Sequence, residues 1–572
     1  MAECKATVMA MKVIRSVNPS AKLVQTDDLG KIYSSAQLAY QADFENERRW
    51  LAWDLISGLV TPSHRLWNYL LWSGIDEAEL YFLLEHATPP DIIGVNHYVT
   101  STRFLDDELE HYPAHLHGGN GIHQYTDIEA VRVMTDEPIA GPKELLREAW
   151  ERYHVPLAVT EAHLHCSREQ QGRWLLKVWD DAAALKQEGV DIRAVTAWAA
   201  FGAHGWNNLL TQPDGAYESG LFDTRSGSPR PTALAALVQQ LASGRREPHP
   251  SFQGDGWWGK STRLSYGRQQ NEIDYNSAES RGRPLLILGR NGTLGKAFSR
   301  VCEERHIHHF LWGRDALDLH DEVAVMAEKL NAVKPWAVVN ATGYVRVDEA
   351  ESSPGDCFAV NTAGAVKLSE ACKLAGIKLI SFSSDLVFDG AKDSEYLEDD
   401  LPSPLNVYGQ SKAAAETAIM AQDNDALLIR TSAFFSPWDE YNFVAIALHE
   451  MRAGRGFAAA DDVTITPTYV PDLVHECLDL LIDGECGIWH LSNGDALTWA
   501  GFARMAAGLA GLDEGLVIPK TQAEMAWEAL RPRAAALASI RGRLMPTLEN
   551  ALHRCIGAMY NHSHSPALTT LA

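Results

Sequence analysis

The sequence predicts an α/β protein in two parts: a partial (β/α) barrel, then a Rossmann-type doubly wound parallel sheet with a small C-terminal lobe. Short apolar runs alternate with longer helical segments in two regions, the pattern of parallel strands joined by helices. A polar stretch with no period of 2 or 3.6 separates these regions. A glycine-rich turn follows the first apolar run of the second region and indicates a Rossmann-type unit.

The chain of 572 residues is long enough for roughly two to four domains. The boundaries we predict are 1–243 for the partial barrel, 244–282 for a linker and 283–572 for the Rossmann-type part. The middle segment is rich in Gly, Ser, Arg and Asn, a composition typical of linkers.

Composition excludes several classes of protein. A net charge of −25 argues against a nucleic-acid partner and against binding to an acidic membrane surface. The eight cysteines contain no C-x-x-C pair, so we expect reduced thiols rather than a disulfide framework or a zinc site. The N-terminus lacks a signal-peptide core and no apolar run reaches membrane-spanning length, which predicts a cytoplasmic protein.

Four apolar runs in the first region predict parallel strands with polar or aromatic residues at their carboxyl ends. They are AKLVQTDD from Ala21, DIIGVNHY from Asp91, LAVTEAHL from Leu157 and AVTAWAAF from Ala194. Four such units make half of an eight-stranded barrel, whose sites lie at the carboxyl ends of the strands. A half barrel leaves two exposed sheet edges, which favours a homodimer.

Five runs in the second region predict the strands of the doubly wound sheet: PLLILG from Pro284, HHFLWG, AVVNAT, LISFSS and ALLIRTS. The first ends in a G-x-x-G-x-x-G turn that opens a helix near Thr293. Glycines permit the tight turn and the approach of a diphosphate, and the helix N-terminus offers free N–H groups. A nicotinamide dinucleotide is therefore the predicted cofactor, held by Gly289, Asn291, Gly292, Thr293, Leu294 and Gly295.

The second strand of this region ends at Arg314, where an acidic residue would hold the ribose diol of NAD. Arginine there suits the 2′-phosphate of NADP, so NADPH is the favoured cofactor. The adjacent Asp315 keeps NADH open.

Tyr408 and Lys412 lie four residues apart, on one face of a predicted helix. The ammonium favours the phenolate, so Tyr408 is the predicted general acid toward a carbonyl during hydride transfer. The hydroxyl needed to orient that carbonyl is assigned to Ser384, at the end of a strand. Arg430, at another strand end, is a candidate clamp for a diphosphate. No spacing typical of a metal site is found, and magnesium dependence stays open.

With these residues the part from Arg283 to about Leu552 resembles the dTDP-4-dehydrorhamnose reductase family. Asn340–Tyr344 resembles the family motif N-A-A-A-Y, and Ser383–Gly390 resembles S-T-D-Y-V-F-D-G, with Ser384 for Thr and Leu386 for Tyr. Further matches are Val347–Glu351, Ala359–Asn361, Asn406–Lys412, Arg430–Ser432, Thr466–Thr468 and Arg541–Pro546.

The resemblance implies NAD(P)H-dependent reduction of a 4-keto group on a nucleotide-linked deoxysugar, with the C-terminal lobe binding that substrate. It adds as cofactor-binding residues Asn340, Ala341, Thr342, Tyr344, Asn361, Ser383 and Lys412. It also implies a substrate site at Asp385, Val387 and Phe388. Serine for threonine keeps the hydroxyl, whereas leucine for tyrosine leaves the identity of the sugar open.

The first region resembles glycoside hydrolase family 1 over roughly Ala6 to Leu241. Val159-Thr-Glu161 matches the segment of the family's nucleophile, and Asn96 and Tyr98 match residues beside it. Retaining glycosidases need a second carboxyl group, and its N-E-P motif is missing. Glu161 is therefore interpreted as the nucleophile of a degenerate module that binds sugar or serves as a scaffold.

Two alternatives to the reductase remain open. One is a non-catalytic regulatory protein that binds a nucleotide sugar, which predicts a damaged Tyr408/Lys412 pair. The other is a β-glycosidase with an auxiliary Rossmann domain, against which the missing acid/base counts.

Overall fold

The computed structural model describes residues 1–135, 137–205, 217–266 and 282–561. The chain divides into two compact units. Unit 1 comprises 1–221, 237–245 and 252–280, and unit 2 comprises 222–236, 246–251 and 281–572. Among the helices of the described residues, none combines the length and the apolar character needed to span a membrane.

Unit 1 contains a four-stranded parallel sheet in chain order, which confirms all four predicted strands. They are β1 (Val24–Asp28), β2 (Ile92–Asn96), β3 (Leu157–Ala162) and β4 (Ile192–Ala197). The helices of this unit are Ala2–Val17, Ala39–Arg48, Leu51–Ile56, Trp67–Trp72, Glu77–Glu85, Pro142–Tyr153 and Arg168–Gln187. Closure of these strands into part of a barrel stays a prediction.

A second sheet in unit 1 has no counterpart in the sequence prediction. Its strands, in spatial order, are Ile32–Ser34, Arg103–Asp106, Gln124–Glu129 and His117–Gly119. A two-residue pairing also joins Ala203–His204 to Tyr217–Glu218. These strands are short and polar, so they lack the apolar runs that mark the main sheet.

Unit 2 contains a six-stranded parallel sheet in the order β6-β5-β7-β8-β9-β10. Its strands are β5 (Leu285–Leu288), β6 (His309–Trp312), β7 (Ala337–Asn340), β8 (Lys378–Phe382), β9 (Leu427–Arg430) and β10 (Gly487–His490). The five predicted strands are confirmed, and β10 is additional. The chain order reverses beside β5, the switch point where ligands of doubly wound sheets bind.

The helices associated with this sheet carry the functional segments. We label α1 (Thr293–Glu304), α2 (Val407–Gln422) and α3 (Val470–Asp483). The others are Val323–Val333, Val347–Ser352, Pro354–Phe358 and Ala365–Leu374, with a π-helical turn at Ala359–Gly364. Central strands such as β5 and β7 are buried along their length, because helices cover both faces of such sheets.

The C-terminal lobe of unit 2 contains helices Phe443–Arg452, Trp499–Leu509 and Leu548–Asn561. Short strand pairs connect them: Phe434–Phe435 with Thr468–Tyr469, Phe457–Ala460 with Val517–Lys520, and Thr464–Ile465 with Leu497–Thr498. Phe435, Leu448 and Phe502 lie in the apolar core of this lobe. The lobe thus has a core of its own beside the sheet.

A segment that the sequence assigns to the partial barrel folds with unit 2. The pairing of Phe222–Asp223 with Arg230–Pro231 forms a hairpin, which we call the strap (222–236). Arg225 Nη1 lies 2.7 Å from Glu476 Oε1, and Arg230 Nη1 lies 2.9 Å from Asp483 Oδ2, both acids on α3. Residues 222–236 are thus grouped with unit 2 although they precede the predicted boundary at 243, while the main part of unit 2 begins at 281, next to the predicted start at 283.

Candidate active site

The glycine turn fixes a close approach between β5, β7 and α1. Gly289 has a φ of 111°, and a Cβ atom there would lie 2.6 Å from the carbonyl oxygen of Ala341. A Cβ atom on Gly295 would collide with the carbonyl of Gly289. Gly292 caps α1 without a side chain, so the first N–H groups of the helix face the turn. This arrangement suits an anion such as a diphosphate.

Two arginines lie near the end of β6, where the adenosine ribose of a Rossmann dinucleotide sits. Arg314 is exposed, as a role toward a 2′-phosphate requires. Arg290, in the glycine turn, pairs with Asp315 at 2.8 Å. The acid that kept NADH open in the sequence is therefore engaged by a cation.

Two buried asparagines shape the loop that follows β7. The Oδ1 atom of Asn340 accepts a hydrogen bond from the Thr342 hydroxyl at 2.5 Å. Asn361 accepts from the backbone N–H of Tyr344 at 2.8 Å and donates to its carbonyl at 3.0 Å. Both were predicted to bind cofactor, but these side chains bind the protein's own loop. Their support for a cofactor is therefore indirect, through the backbone from Ala341 onward.

Helix α2 carries the predicted catalytic pair. Asn406 caps the helix by accepting the N–H of Gly409 at 2.7 Å, and a Cβ atom on Gly409 would collide with the carbonyl of Leu386. The Nζ atom of Lys412 lies 5.8 Å from the ring centroid of Tyr408 and donates to the Phe382 carbonyl at 3.1 Å. The two side chains thus share one face, close to the end of β8.

Ser384 completes the predicted group. Ser384 lies close enough to Tyr408 to lower the pKa of that phenol, and its hydroxyl donates to Asp385 at 2.8 Å. The neighbouring Ser383 is also buried, and its hydroxyl has no hydrogen-bond partner among the described residues. The structure therefore brings Ser384, Tyr408 and Lys412 together as the sequence predicts.

Burial controls the protonation of this group. It raises the pKa of Tyr408, the Asp385 carboxylate raises it further, and the hydrogen bond with Ser384 lowers it. Burial lowers the pKa of Lys412 to about 8, against the opposing effects of Cys357 and Glu416. At neutral pH the phenol keeps its proton and the ammonium is charged, as a general acid and its supporting cation require.

Three of the four predicted substrate residues have buried side chains. Val387 and Phe388 are completely buried and pack in an apolar cluster with Tyr396 and Leu537. Arg430 is 1% exposed. The side chains of these three residues are enclosed by protein, and their role toward a substrate stays a prediction.

The fourth predicted substrate residue, Asp385, acts beside the catalytic group. Its Oδ2 atom accepts from the Ser432 hydroxyl at 2.6 Å, while Ser384 donates to its other oxygen. Burial raises the pKa of Asp385 to about 6, although hydrogen bonds from Ser432 and Ser384 lower it. Asp385 therefore fixes the orientation of the Ser384 hydroxyl by accepting its hydrogen bond.

Sequence reasoning missed several residues of the site. Arg290 stands at the second position of the glycine motif, and Glu416 lies one helical turn beyond Lys412, so both had a positional signal. Asp439 accepts a hydrogen bond from Thr293 at the start of α1, although 146 residues separate them. That contact had no signal in the sequence.

In unit 1 polar groups gather at the carboxyl ends of β1, β2 and β3. The hydroxyl of Tyr98 is hydrogen-bonded to Glu161. Glu218 is bonded to both His163 and His165, and these hydrogen bonds hold its pKa at about 2 against the opposing effect of burial. Glu161 thus lies at a strand end among polar groups, as the sequence predicts.

The comparisons with known proteins concern the second half of the chain. A family model described as the RmlD substrate binding domain matches residues 283–559. A dTDP-4-keto-6-deoxy-D-glucose reductase of Streptomyces niveus is 30% identical over 253 residues, which cover 44% of this chain and 87% of that protein. A dTDP-4-dehydrorhamnose reductase of Streptomyces griseus is 32% identical over 257 residues, with coverages of 44% and 84%.

Solved structures include a dTDP-4-dehydrorhamnose reductase from Bacillus anthracis in complex with NADP. It is 27% identical and covers 48% of this chain and 98% of its own, with a TM-score of 0.45. The resemblance of the first half to glycoside hydrolases gains no support from these relatives.

Proposed function

The chain belongs to the dTDP-4-dehydrorhamnose reductase family through residues 283–559, and from that premise we propose that it reduces the 4-keto group of a nucleotide-linked deoxysugar. It is an NAD(P)-dependent oxidoreductase. The observation that carries the proposal is the placement of Tyr408 and Lys412 on one face of α2, at the end of β8 that leads into Ser384.

The residues act on the carbonyl as follows. A bound nicotinamide dinucleotide supplies the hydride that the carbonyl carbon accepts. Tyr408 gives its phenolic proton to the carbonyl oxygen, so the ketone becomes an alcohol and Tyr408 becomes a phenolate. The charged Lys412 stabilises that phenolate, and the Ser384 hydroxyl orients the carbonyl oxygen. Solvent returns the proton to Tyr408 after turnover.

NADPH is the preferred cofactor in this proposal. Because Arg290 pairs with Asp315, that carboxylate neither accepts the ribose diol of NADH freely nor repels a 2′-phosphate. The exposed Arg314 is then available to the phosphate. NADH remains the weaker alternative.

The decisive experiment is NADPH oxidation, followed at 340 nm, with dTDP-4-keto-6-deoxy-L-mannose as substrate. Wild-type protein should turn over, and Tyr408→Phe should lose at least a hundredfold in kcat while keeping its affinity for NADPH. The affinity for NADPH should be retained because the phenol of Tyr408 is not part of the glycine turn that binds the dinucleotide. Tight NADPH binding without turnover on this or related keto-sugars would favour a regulatory, non-catalytic protein instead.

A second proposal concerns unit 1, which we propose binds a sugar without cleaving it, as a degenerate glycosidase-like module. The supporting observation is the placement of Tyr98 and Glu161 at adjacent strand ends, with Trp198 38% exposed on the next strand's end. Calorimetric titration with cellobiose should show binding that Glu161→Gln weakens. Hydrolysis of an aryl glucoside would instead favour the β-glycosidase. Dimerisation and a cytoplasmic location stay predictions.

A further inference from the structure

A loop from the C-terminal lobe touches the position where the cofactor diphosphate is expected. We call residues Ser436–Asn442 the acidic loop, since they include Asp439 and Glu440. The Thr293 hydroxyl donates a 2.8 Å hydrogen bond to Asp439 Oδ2. Thr293 is the first residue of α1, directly after the glycine turn. A carboxylate is thus fixed at the helix N-terminus that the turn presents to an anion.

The acidic loop is held in this position from both of its ends. The N–H of Tyr441 donates to Asp439 Oδ1 at 2.9 Å, and Asn442 donates to the Ser436 carbonyl at 2.7 Å. Trp438 lies on the guanidinium of Arg300, an α1 residue, at 4.5 Å. Asp439 is therefore aimed at Thr293 by a defined set of contacts.

The tip of the acidic loop is exposed to solvent. Tyr441 is 86% exposed, and Glu440 is exposed as well. Asn442 remains behind as the cap of the helix Phe443–Arg452, where it accepts the N–H of Ala445 at 3.1 Å. A displacement of residues 438–441 would break the contact of Trp438 with Arg300 and the hydrogen bond of Asp439 with Thr293, while the cap formed by Asn442 stays in place.

The negative charges of the Asp439 carboxylate and of the cofactor diphosphate oppose each other at the start of α1. The N-terminus of a helix stabilises one negative group placed there, and Asp439 takes that position beside Thr293. A dinucleotide diphosphate requires the free N–H groups of this helix terminus, next to the carboxylate that the Thr293 hydroxyl holds. Two negative groups a few ångströms apart at a protein surface repel each other appreciably.

We propose that Asp439 sets the affinity of unit 2 for its cofactor, by holding the diphosphate position in the cofactor-free protein. The acidic loop leaves Thr293 when the dinucleotide binds. Part of the binding free energy is spent in breaking that contact, so the carboxylate keeps the cofactor exchangeable. This inference rests on the proposed dinucleotide function of the glycine turn and deepens it.

Asp439→Asn tests the inference in the full chain, because it removes the charge and keeps the size and a hydrogen-bonding group. We expect the Kd for NADPH, from fluorescence titration, to fall by at least fivefold, with a smaller gain at high salt. Glu440→Gln is the matched control, with the same loss of charge one residue away, and should stay within twofold of wild type.

Hydrogen–deuterium exchange supplies a readout that does not depend on turnover. On addition of NADPH to wild type, exchange should slow at the start of α1 and accelerate in residues 438–441. An unchanged or weaker NADPH affinity in Asp439→Asn, or a loop that becomes more protected with NADPH, would overturn the inference. Absence of NADPH and NADH binding in wild type and both variants would overturn the proposed dinucleotide function itself.

Discussion

Glu416 and Arg430 form a buried bidentate ion pair one helical turn beyond Lys412. Arg430 Nε lies 2.9 Å from Glu416 Oε1, and its Nη2 lies 2.7 Å from Oε2. The arginine that the sequence offered to a substrate diphosphate thus neutralises an acid of the catalytic helix. It fixes α2 against β9.

Arg430→Ala should therefore affect folding rather than substrate affinity. Removing one partner of a buried ion pair leaves an unpaired charge and typically costs about 3–5 kcal/mol in the free energy of unfolding. Urea denaturation measures this loss, and the double variant Glu416→Leu/Arg430→Met should recover most of it. If Arg430→Ala leaves the stability unchanged and weakens binding of the nucleotide sugar, Arg430 contacts the substrate diphosphate as the sequence predicts.

The Lys412 ammonium predicts the alkaline limit of activity. Because burial lowers its pKa to about 8, the charged form is lost as pH rises through that value. The kcat/KM should then fall about tenfold per pH unit above roughly pH 8. Lys412→Arg keeps its charge to far higher pH, so any activity it retains should lack this limb. If wild type and Lys412→Arg show the same fall of kcat/KM at alkaline pH, a group other than Lys412 causes it.

The two arginines near β6 both predict a shift of cofactor choice toward NADH when they are removed, for different reasons. Arg314→Ala should lose about tenfold or more in affinity for 2′,5′-ADP and little for 5′-AMP, since a charge-assisted contact to phosphate is removed. Arg290→Ala should move the NADPH/NADH preference toward NADH, because it releases Asp315. Arg455→Ala, which removes an exposed arginine paired with Glu450, is the control. Equal losses for both probes would show that Arg314 merely positions the adenosine.

The strap predicts a stability effect from outside the family match. Arg225 is nearly buried and pairs with Asp223 and Glu476. Arg225→Ala removes the partner of Glu476, while Asp223 keeps its ion pair with Arg230 at 3.1 Å. We expect a loss of about 3–5 kcal/mol in the unfolding transition of unit 2. Arg193→Ala, in an exposed pair with Asp191, should cost about 1 kcal/mol or less. Similar costs for both variants would show that the strap contributes little.

Local patterns in the sequence identified the backbone scaffold of the site. The glycine turn, five strands of the unit 2 sheet and the Tyr408/Lys412 spacing each depend on residues close together in the chain. Strand β10 was missed because its short run, Gly487–His490, lies between segments of the C-terminal lobe and far from the other strands in sequence.

Side-chain surroundings were harder to predict, since they depend on residues distant in sequence. Phe388 was assigned to substrate, yet Leu537 helps to cover it from the far end of the chain. Arg430 stands at a strand end as expected, but its partner comes from another element. A motif therefore located these positions without showing which way each side chain turns.

The division of the chain into units has a consequence for how such a protein is taken apart or recombined. Residues 222–236 and 246–251 are grouped with unit 2, while 237–245 and 252–280 return to unit 1. No single cut in the polypeptide releases either unit whole. A protease cleavage or a gene crossover placed between residues 221 and 281 would separate at least one unit from one of its own segments. Variants that keep both units intact must therefore retain this stretch as a whole.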